Sequence, residues 1–188
     1  MPEPLPHRKT RRNFDDPGHA HELTFSCFRK RPFLGKERTC RFLADAVLMA
    51  KERHQFDLWA YVFMPEHVHL LLWPTRPSYS VAAIRKSVKQ SVARRAMSWL
   101  RRHNPAGLRA LATGRPDIPH QFWMEGGGYD RNVRLWRTLK AMVDYIHANP
   151  VRRGLVEHPE EWYWSSARAW AGLGDGPLPI DRASFPPF

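Results

Sequence analysis

His67-Val68-His69 sets two imidazoles two residues apart inside an apolar run, the first spacing in this chain that could do chemistry. Successive residues of a strand point to opposite faces, so side chains at i and i+2 project together from one side. Two neutral imidazoles held that way make half of a divalent-metal site. Val68, Leu70 and Leu72 alternate with them and face the other way, toward a helix-covered core. Glu66 reads as a turn residue or as a group supporting the ligands. Tyr145 and Asn149 form a second cluster one helical turn apart. Around them Leu135, Leu139, Met142, Val143 and Ile146 make an apolar stripe, and Tyr145 lies roughly 60° off its edge at 100° per residue. Its ring is then half-buried and its hydroxyl free. Each feature alone has an ordinary reading: an incidental histidine pair, a boundary tyrosine, a helix cap.

The elements that must position these residues are readable from periodicity. Leu23, Phe25 and Cys27 alternate with Thr24 and Ser26, which predicts a strand, and Pro32 and Gly35 break it. Cys40, Leu43, Val47 and Ala50 recur at helical steps and predict a helix over 36–54. Residues 56–64 and 67–73, separated by the short turn at Met64-Pro65-Glu66, predict an antiparallel hairpin. A second helix is expected over 81–102, with Val81, Ile84, Val88, Val92 and Trp99 on one side. Arg85, Lys86, Lys89, Arg94 and Arg95 occupy much of its remainder. Residues 103–120 read as a long loop and 121–125 as a short strand. Gly126-Gly127-Gly128 marks a hinge or a close approach. A third helix is expected over 134–148, stopping at Asn149-Pro150. This order predicts an α+β fold: a ferredoxin-like antiparallel sheet with helices packed on one face and the other face open.

At 188 residues the chain suits one domain with a real core. Residues 1–16, with Arg8, Lys9, Arg11 and Arg12, read as a basic arm, 17–167 as the folded domain and 168–188 as a proline-containing tail packing on it. Thirty Lys+Arg against eighteen Asp+Glu give a formal net charge of +12, which favours an anionic partner, nucleic acid first. Cys27 and Cys40 are too few for a disulfide framework or a thiolate zinc site and read as buried free thiols. No signal peptide and no membrane-length apolar run are found, so a soluble, cytoplasmic protein without a membrane partner is expected.

Four stretches, in order over about 17–167, resemble one family. They are Pro17-Gly18-His19-Ala20-His21-Glu22-Leu23-Thr24; Leu58-Trp59-Ala60-Tyr61-Val62 followed by Met64-Pro65-Glu66-His67-Val68-His69-Leu70-Leu71; Phe122-Trp123 with Gly128-Tyr129-Asp130-Arg131-Asn132-Val133; and Asp144-Tyr145-Ile146-His147-Ala148-Asn149-Pro150-Val151-Arg152 with Glu161-Trp162-Tyr163-Trp164-Ser165-Ser166. Together they resemble the REP-associated tyrosine transposases, relatives of the single-tyrosine transposases with a histidine–hydrophobe–histidine motif. The resemblance implies that His67 and His69 hold Mg²⁺ or Mn²⁺, with Asn149 as a third ligand. It implies that Tyr145 attacks a phosphodiester and forms a 5′-phosphotyrosine, so that cleaved strands can be rejoined. Tyr129, after the glycines, is the rival nucleophile. Single-stranded or hairpin DNA is the implied partner, with Arg85, Lys86, Lys89, Arg94, Arg95 and Arg131 as candidate DNA contacts. A homodimer stays open, as does the alternative of a non-catalytic hairpin-DNA-binding protein derived from a transposase.

Overall fold

Alternation and helical spacing meet in one four-stranded antiparallel sheet, in a computed structural model that describes residues 15–126 and 128–187. Residues 1–14 of the basic arm, with Gly127 and Phe188, lie outside the described residues. The elements run β1 (Ala20–Ser26), α1 (Glu37–His54), β2 (Phe56–Phe63), β3 (His67–Pro74), α2 (Val81–His103), β4 (Tyr129–Val133) and α3 (Trp136–Arg152), with a short α4 (Ala167–Trp170). The strand order β2-β3-β1-β4 is the ferredoxin-like arrangement that the sequence predicts.

The β2–β3 hairpin closes through Met64 N, which donates to His67 O at 2.8 Å. On β3, Val68, Leu70 and Leu72 join the core with Leu43 and Val47 of α1 and Ile84, Val88 and Val92 of α2. Cys27 and Cys40 are buried free thiols, and burial pushes both thiol pKa values up to about 12. Ser80 caps α2, its hydroxyl accepting from Ala83 N at 3.3 Å.

Three expectations change. Helices cover both faces rather than one: α1 and α2 lie on one side, and α3 lies across the other. The stripe of Leu139, Met142, Val143 and Ile146 needs an apolar partner, and Trp59, Ala60, Val62 and Leu71 provide it. β2 is apolar on both faces, as a strand covered on both sides must be.

The fourth strand is Tyr129–Val133, not 121–125. Residues 122–124 make a shorter contact with the end of β1, in which Cys27 bridges Trp123 and Met124 N donates to Ser26 O at 2.8 Å. The chain then turns through glycine and re-enters beside the rest of β1. At Gly128, φ is +70° and a Cβ would collide with the Thr24 carbonyl oxygen, so the close approach admits no side chain.

The third helix does not stop at Asn149-Pro150. It continues to Arg152 with Pro150 inside it. Proline removes the amide that would bond the Ile146 carbonyl. The Asn149 side chain supplies a replacement donor, with Nδ2 at 3.2 Å from Ile146 O and 2.8 Å from Tyr145 O.

Residues 162–187 lie along the edge of β2, which would otherwise be an unpaired strand edge. Phe63 N donates to Trp164 O at 2.8 Å, Ser166 N to Tyr61 O at 3.1 Å, and Asp181 N to Leu58 O at 2.9 Å. The Asp181 carboxylate accepts from Leu58 N at 2.7 Å and pairs with Lys51 at 2.6 Å, while Leu178 is fully buried. The segment expected as a tail therefore contributes to the core. Asp181→Ala should destabilise the fold by about 1–3 kcal/mol, because the Leu58 amide loses its carboxylate acceptor. A urea midpoint unchanged from the wild type would show that this anchor carries no stability.

On α3, His147 is buried with Nε2 2.8 Å from Ser166 Oγ, and burial lowers its pKa to about 4. The neutral ring fits this site and the charged ring does not. Its contribution is therefore complete above the ordinary histidine range, near 6.5, and is lost as pH falls toward 4. Denaturation curves from pH 7.5 down to 4.5 should show the wild type losing roughly 2 kcal/mol more than His147→Gln. Parallel pH profiles for the two proteins would contradict this.

Candidate active site

The two histidines project from β3 on the face that α3 crosses. Their rings are edge-on, with centroids 5.0 Å apart. Each has a carboxylate against Nδ1: Glu66 Oε1 at 3.2 Å from His67, and Glu22 Oε1 at 3.2 Å from His69. Thr24 Oγ1 also lies 2.9 Å from His69 Nδ1. An ionised carboxylate can only accept, so Nδ1 is the donor in both rings and Nε2 is the nitrogen left to face a ligand. Burial, joined by the neighbouring His69 and opposed more weakly by Glu66, lowers the His67 pKa and keeps that ring neutral.

β1 supplies this support by register. Thr24 pairs directly opposite His69, and Glu22 is its next neighbour on the same face. Glu66 is shared, because Arg153 Nη1 donates to the same Oε1 that meets His67, at 2.5 Å. The end of α3 is thereby tied to the turn that leads into the histidines.

Tyr145 stands on α3 with 43% of its surface exposed. Its ring meets His69 edge-on at 5.7 Å, and the Arg152 guanidinium lies 5.4 Å from its centroid. Histidines and tyrosine thus come together within one chain. Beside them is a groove of about 550 Å³, lined by Glu22, Thr24, His69, Tyr129, Arg131 and Tyr145 among others. Tyr129 opens β4 and faces the same groove. Asn149 follows Tyr145 by one turn. Its Nδ2 is committed to its own helix, so Oδ1 is the side-chain atom left for a ligand.

Of the six candidate DNA contacts named in the sequence, Arg131 alone lines this groove. The others lie on α2, across the sheet. Arg85 is largely buried, with Nη1 4.0 Å from Asp130 Oδ2, and His21 Nδ1 bonds the other Asp130 oxygen at 3.1 Å. Lys89 Nζ donates to Met124 O at 3.2 Å and Gly126 O at 3.0 Å, holding the glycine turn. Arg95 pairs with Asp45 at 2.8 Å and covers Phe42. Lys86 and Arg94 are exposed on that same layer.

Glu22, Thr24, Arg152 and Arg153 are the site residues that sequence reasoning missed. Glu22 and Thr24 alternate with Leu23 and Phe25, a visible signal, but only the pairing of β1 with β3 sets them against His69. Arg152 follows Tyr145 by seven residues, two helical turns, and the expected stop at Asn149 hid that spacing.

This site sits on a ferredoxin-like α+β scaffold, and comparison with known proteins points the same way. No family model matches the chain. It is similar to the REP-associated tyrosine transposase of Escherichia coli (strain K12), 23% identical over 143 residues, spanning 76% of this chain and 72% of that protein. A Haemophilus influenzae protein named for the same family is 25% identical over 138 residues, spanning 70% of this chain and 74% of its own length. A solved structure of a REP-associated tyrosine transposase bound to a REP hairpin superposes with a TM-score of 0.68 at 19% identity, covering 95% of each chain. The resemblance to REP-associated tyrosine transposases thus extends from short motifs to about three quarters of the sequence and to the fold. Among the described residues, no helix is long and apolar enough to cross a membrane.

Proposed function

We propose that this chain is a transposase-like enzyme that cuts and rejoins single-stranded DNA at a hairpin or palindromic element. Tyr145 is its nucleophile, and Mg²⁺ or Mn²⁺ is its metal. The observation that supports this reading best is the meeting of Tyr145 with His69 over a groove that also presents Arg131. Similarity in sequence to a REP-associated tyrosine transposase, and in fold to one bound to a REP hairpin, makes hairpin DNA the first substrate to try.

The donor set fits a divalent ion. His67 and His69 offer Nε2 lone pairs, with carboxylates behind both rings. Among the described residues no third His, Cys, Asp or Glu completes a cluster with them. The remaining positions would fall to Asn149 Oδ1, water and the phosphate itself. Bound there, the ion would supply Lewis-acid polarisation of the scissile phosphate.

The chain's own groups do the rest. Arg131 binds the phosphate in the groove, and Arg152 holds the Tyr145 ring toward it. Tyr145 Oη bonds to phosphorus as the bond from phosphorus to the 3′-oxygen breaks. The phenol proton leaves to solvent and the 3′-oxygen takes one up, giving a 5′-phosphotyrosine and a free 3′-hydroxyl. Attack by another 3′-hydroxyl reverses the step and reseals a strand without an outside energy source. Lys86 and Arg94, on the far layer, would meet only flanking DNA. Tyr145 lies beside His69 of its own chain, so this reading uses the tyrosine in cis, whether or not a homodimer forms.

Incubation of a labelled hairpin oligonucleotide with the protein and Mn²⁺ should give a protein–DNA adduct that survives denaturation. Tyr145→Phe should abolish it, and His67→Ala or His69→Ala should reduce it about 100-fold or more. Glu66→Gln should weaken Mn²⁺ binding by roughly 10–100-fold. An adduct that persists in Tyr145→Phe would move the nucleophile elsewhere, Tyr129 first. Tight hairpin binding with no adduct from the wild type would replace this reading with one of recognition alone.

A further inference from the structure

Trp99 lies on the α2 stripe that periodicity assigns to the core, yet it is only partly buried. The Arg38 guanidinium lies 3.5 Å from its ring centroid, and the His103 ring packs against it at 5.0 Å. These residues border a groove of about 530 Å³ between α1 and α2, on the layer away from His67 and His69. Phe33, Phe42, Trp99 and Phe122 are its aromatic lining, and Lys36 and Arg38 are its exposed cations.

Among the described residues lining the groove, none is a carboxylate. Two carboxylates of α1 are already held outside it, Glu37 by Arg41 at 2.6 Å and Asp45 by Arg95 at 2.8 Å. No carboxylate of the groove therefore neutralises Lys36 or Arg38, and Arg38 is held over the Trp99 ring. Asn104 adds a hydrogen-bonding edge: its Oδ1 accepts from Gly107 N at 3.1 Å, which leaves the NH₂ to donate. At Gly107 a Cβ would come within 2.9 Å of both Asn104 Nδ2 and Leu100 Cδ2, so the bare glycine preserves the shape of this wall.

Flat π faces, uncompensated cations and an amide edge together match one chemistry, a nucleobase with its phosphate. An apolar peptide would leave the cations without partners, and a free anion would not use the rings. We propose that this groove binds an unpaired nucleotide of single-stranded DNA, with the base stacked on the Arg38 guanidinium that Trp99 backs and against Phe33, and the phosphate against Lys36. Leu34 N donates to Pro65 O at 2.9 Å, and Cys27 N donates to Glu66 O at 2.8 Å. The Phe33 wall of the groove is thereby joined to the turn that leads into His67. The choice of DNA rests on the function proposed above; the presence of a base-and-phosphate site does not.

Anisotropy of a short, labelled, unstructured oligothymidylate tests this without any cleavage. Trp99→Ala and Arg38→Ala should each raise its Kd by roughly tenfold or more, and Trp99→Phe should restore most of the loss because it keeps an aromatic face behind Arg38. Arg38 is exposed, so its variant controls for misfolding at Trp99. An oligonucleotide carrying 5-iododeoxyuridine should crosslink within the groove. Unchanged affinity in both variants, or crosslinks confined to Tyr129 and Tyr145, would overturn the proposal. So would a pyrophosphate probe that binds as tightly as the oligonucleotide and ignores Trp99→Ala, since that describes a charged surface alone. If oligothymidylate binding depends on Trp99 while no hairpin adduct ever forms, this groove stands and the strand-transfer reading fails.

Discussion

A buried imidazole in the middle of a sheet must have its ring nitrogens accounted for, and the rest of this site follows from how His69 meets that requirement. Its Nδ1 is closed off by Glu22 and Thr24 from the neighbouring strand, so the ring is fixed in one orientation with Nε2 turned outward. His67 repeats the device with Glu66 at the edge of the sheet. The sheet register is therefore a functional constraint as well as a structural one. A one-residue slip between β1 and β3 would carry Glu22 and Thr24 to the opposite face and leave His69 without support.

The helix layers divide the labour around that centre. α1 and α2 bury one face of the sheet and give it rigidity. α3 buries part of the other face and, in doing so, delivers Tyr145 to the histidines. The chain end seals the edge of β2, and His147 and Ser166 join it to α3. Arg153 and Glu66 close the loop from α3 back to the turn that leads into His67. The tyrosine is thus held by an anchored helix rather than by a loop, as the role of nucleophile proposed for it would require.

Much of this was legible in the sequence where a short-range rule decides. Strand alternation placed His67 and His69 together and Val68, Leu70 and Leu72 opposite, as observed. The hairpin, α1 and α2 came within a residue or two of their bounds. The misreadings share one cause: each needed a partner distant in sequence or a local substitution that no rule anticipates. Pro150 normally marks a stop, but the Asn149 amide supplies the missing donor and the helix continues, which carried Arg152 out of view. The apolar run at 121–125 outweighed the more polar Tyr129–Val133, whose strand character comes from pairing with β1. β2 was apolar on both faces, a sign of helices on both sides that went unused. The basic residues of α2 show the limit most clearly. Sequence reports charge, and only the fold reveals that Asp130, Asp45 and two loop carbonyls engage Arg85, Arg95 and Lys89.

The central claim is that Glu66 and Glu22 accept from Nδ1 of His67 and His69, so that Nε2 of each ring is the nitrogen turned to a ligand. Nitrogen chemical shifts of ¹⁵N-histidine-labelled protein, measured at neutral pH without added metal and assigned with His67→Gln and His69→Gln, read this directly. The expected result is a protonated Nδ1 in both rings. A bare Nδ1 with the proton on Nε2, at either position, would contradict it.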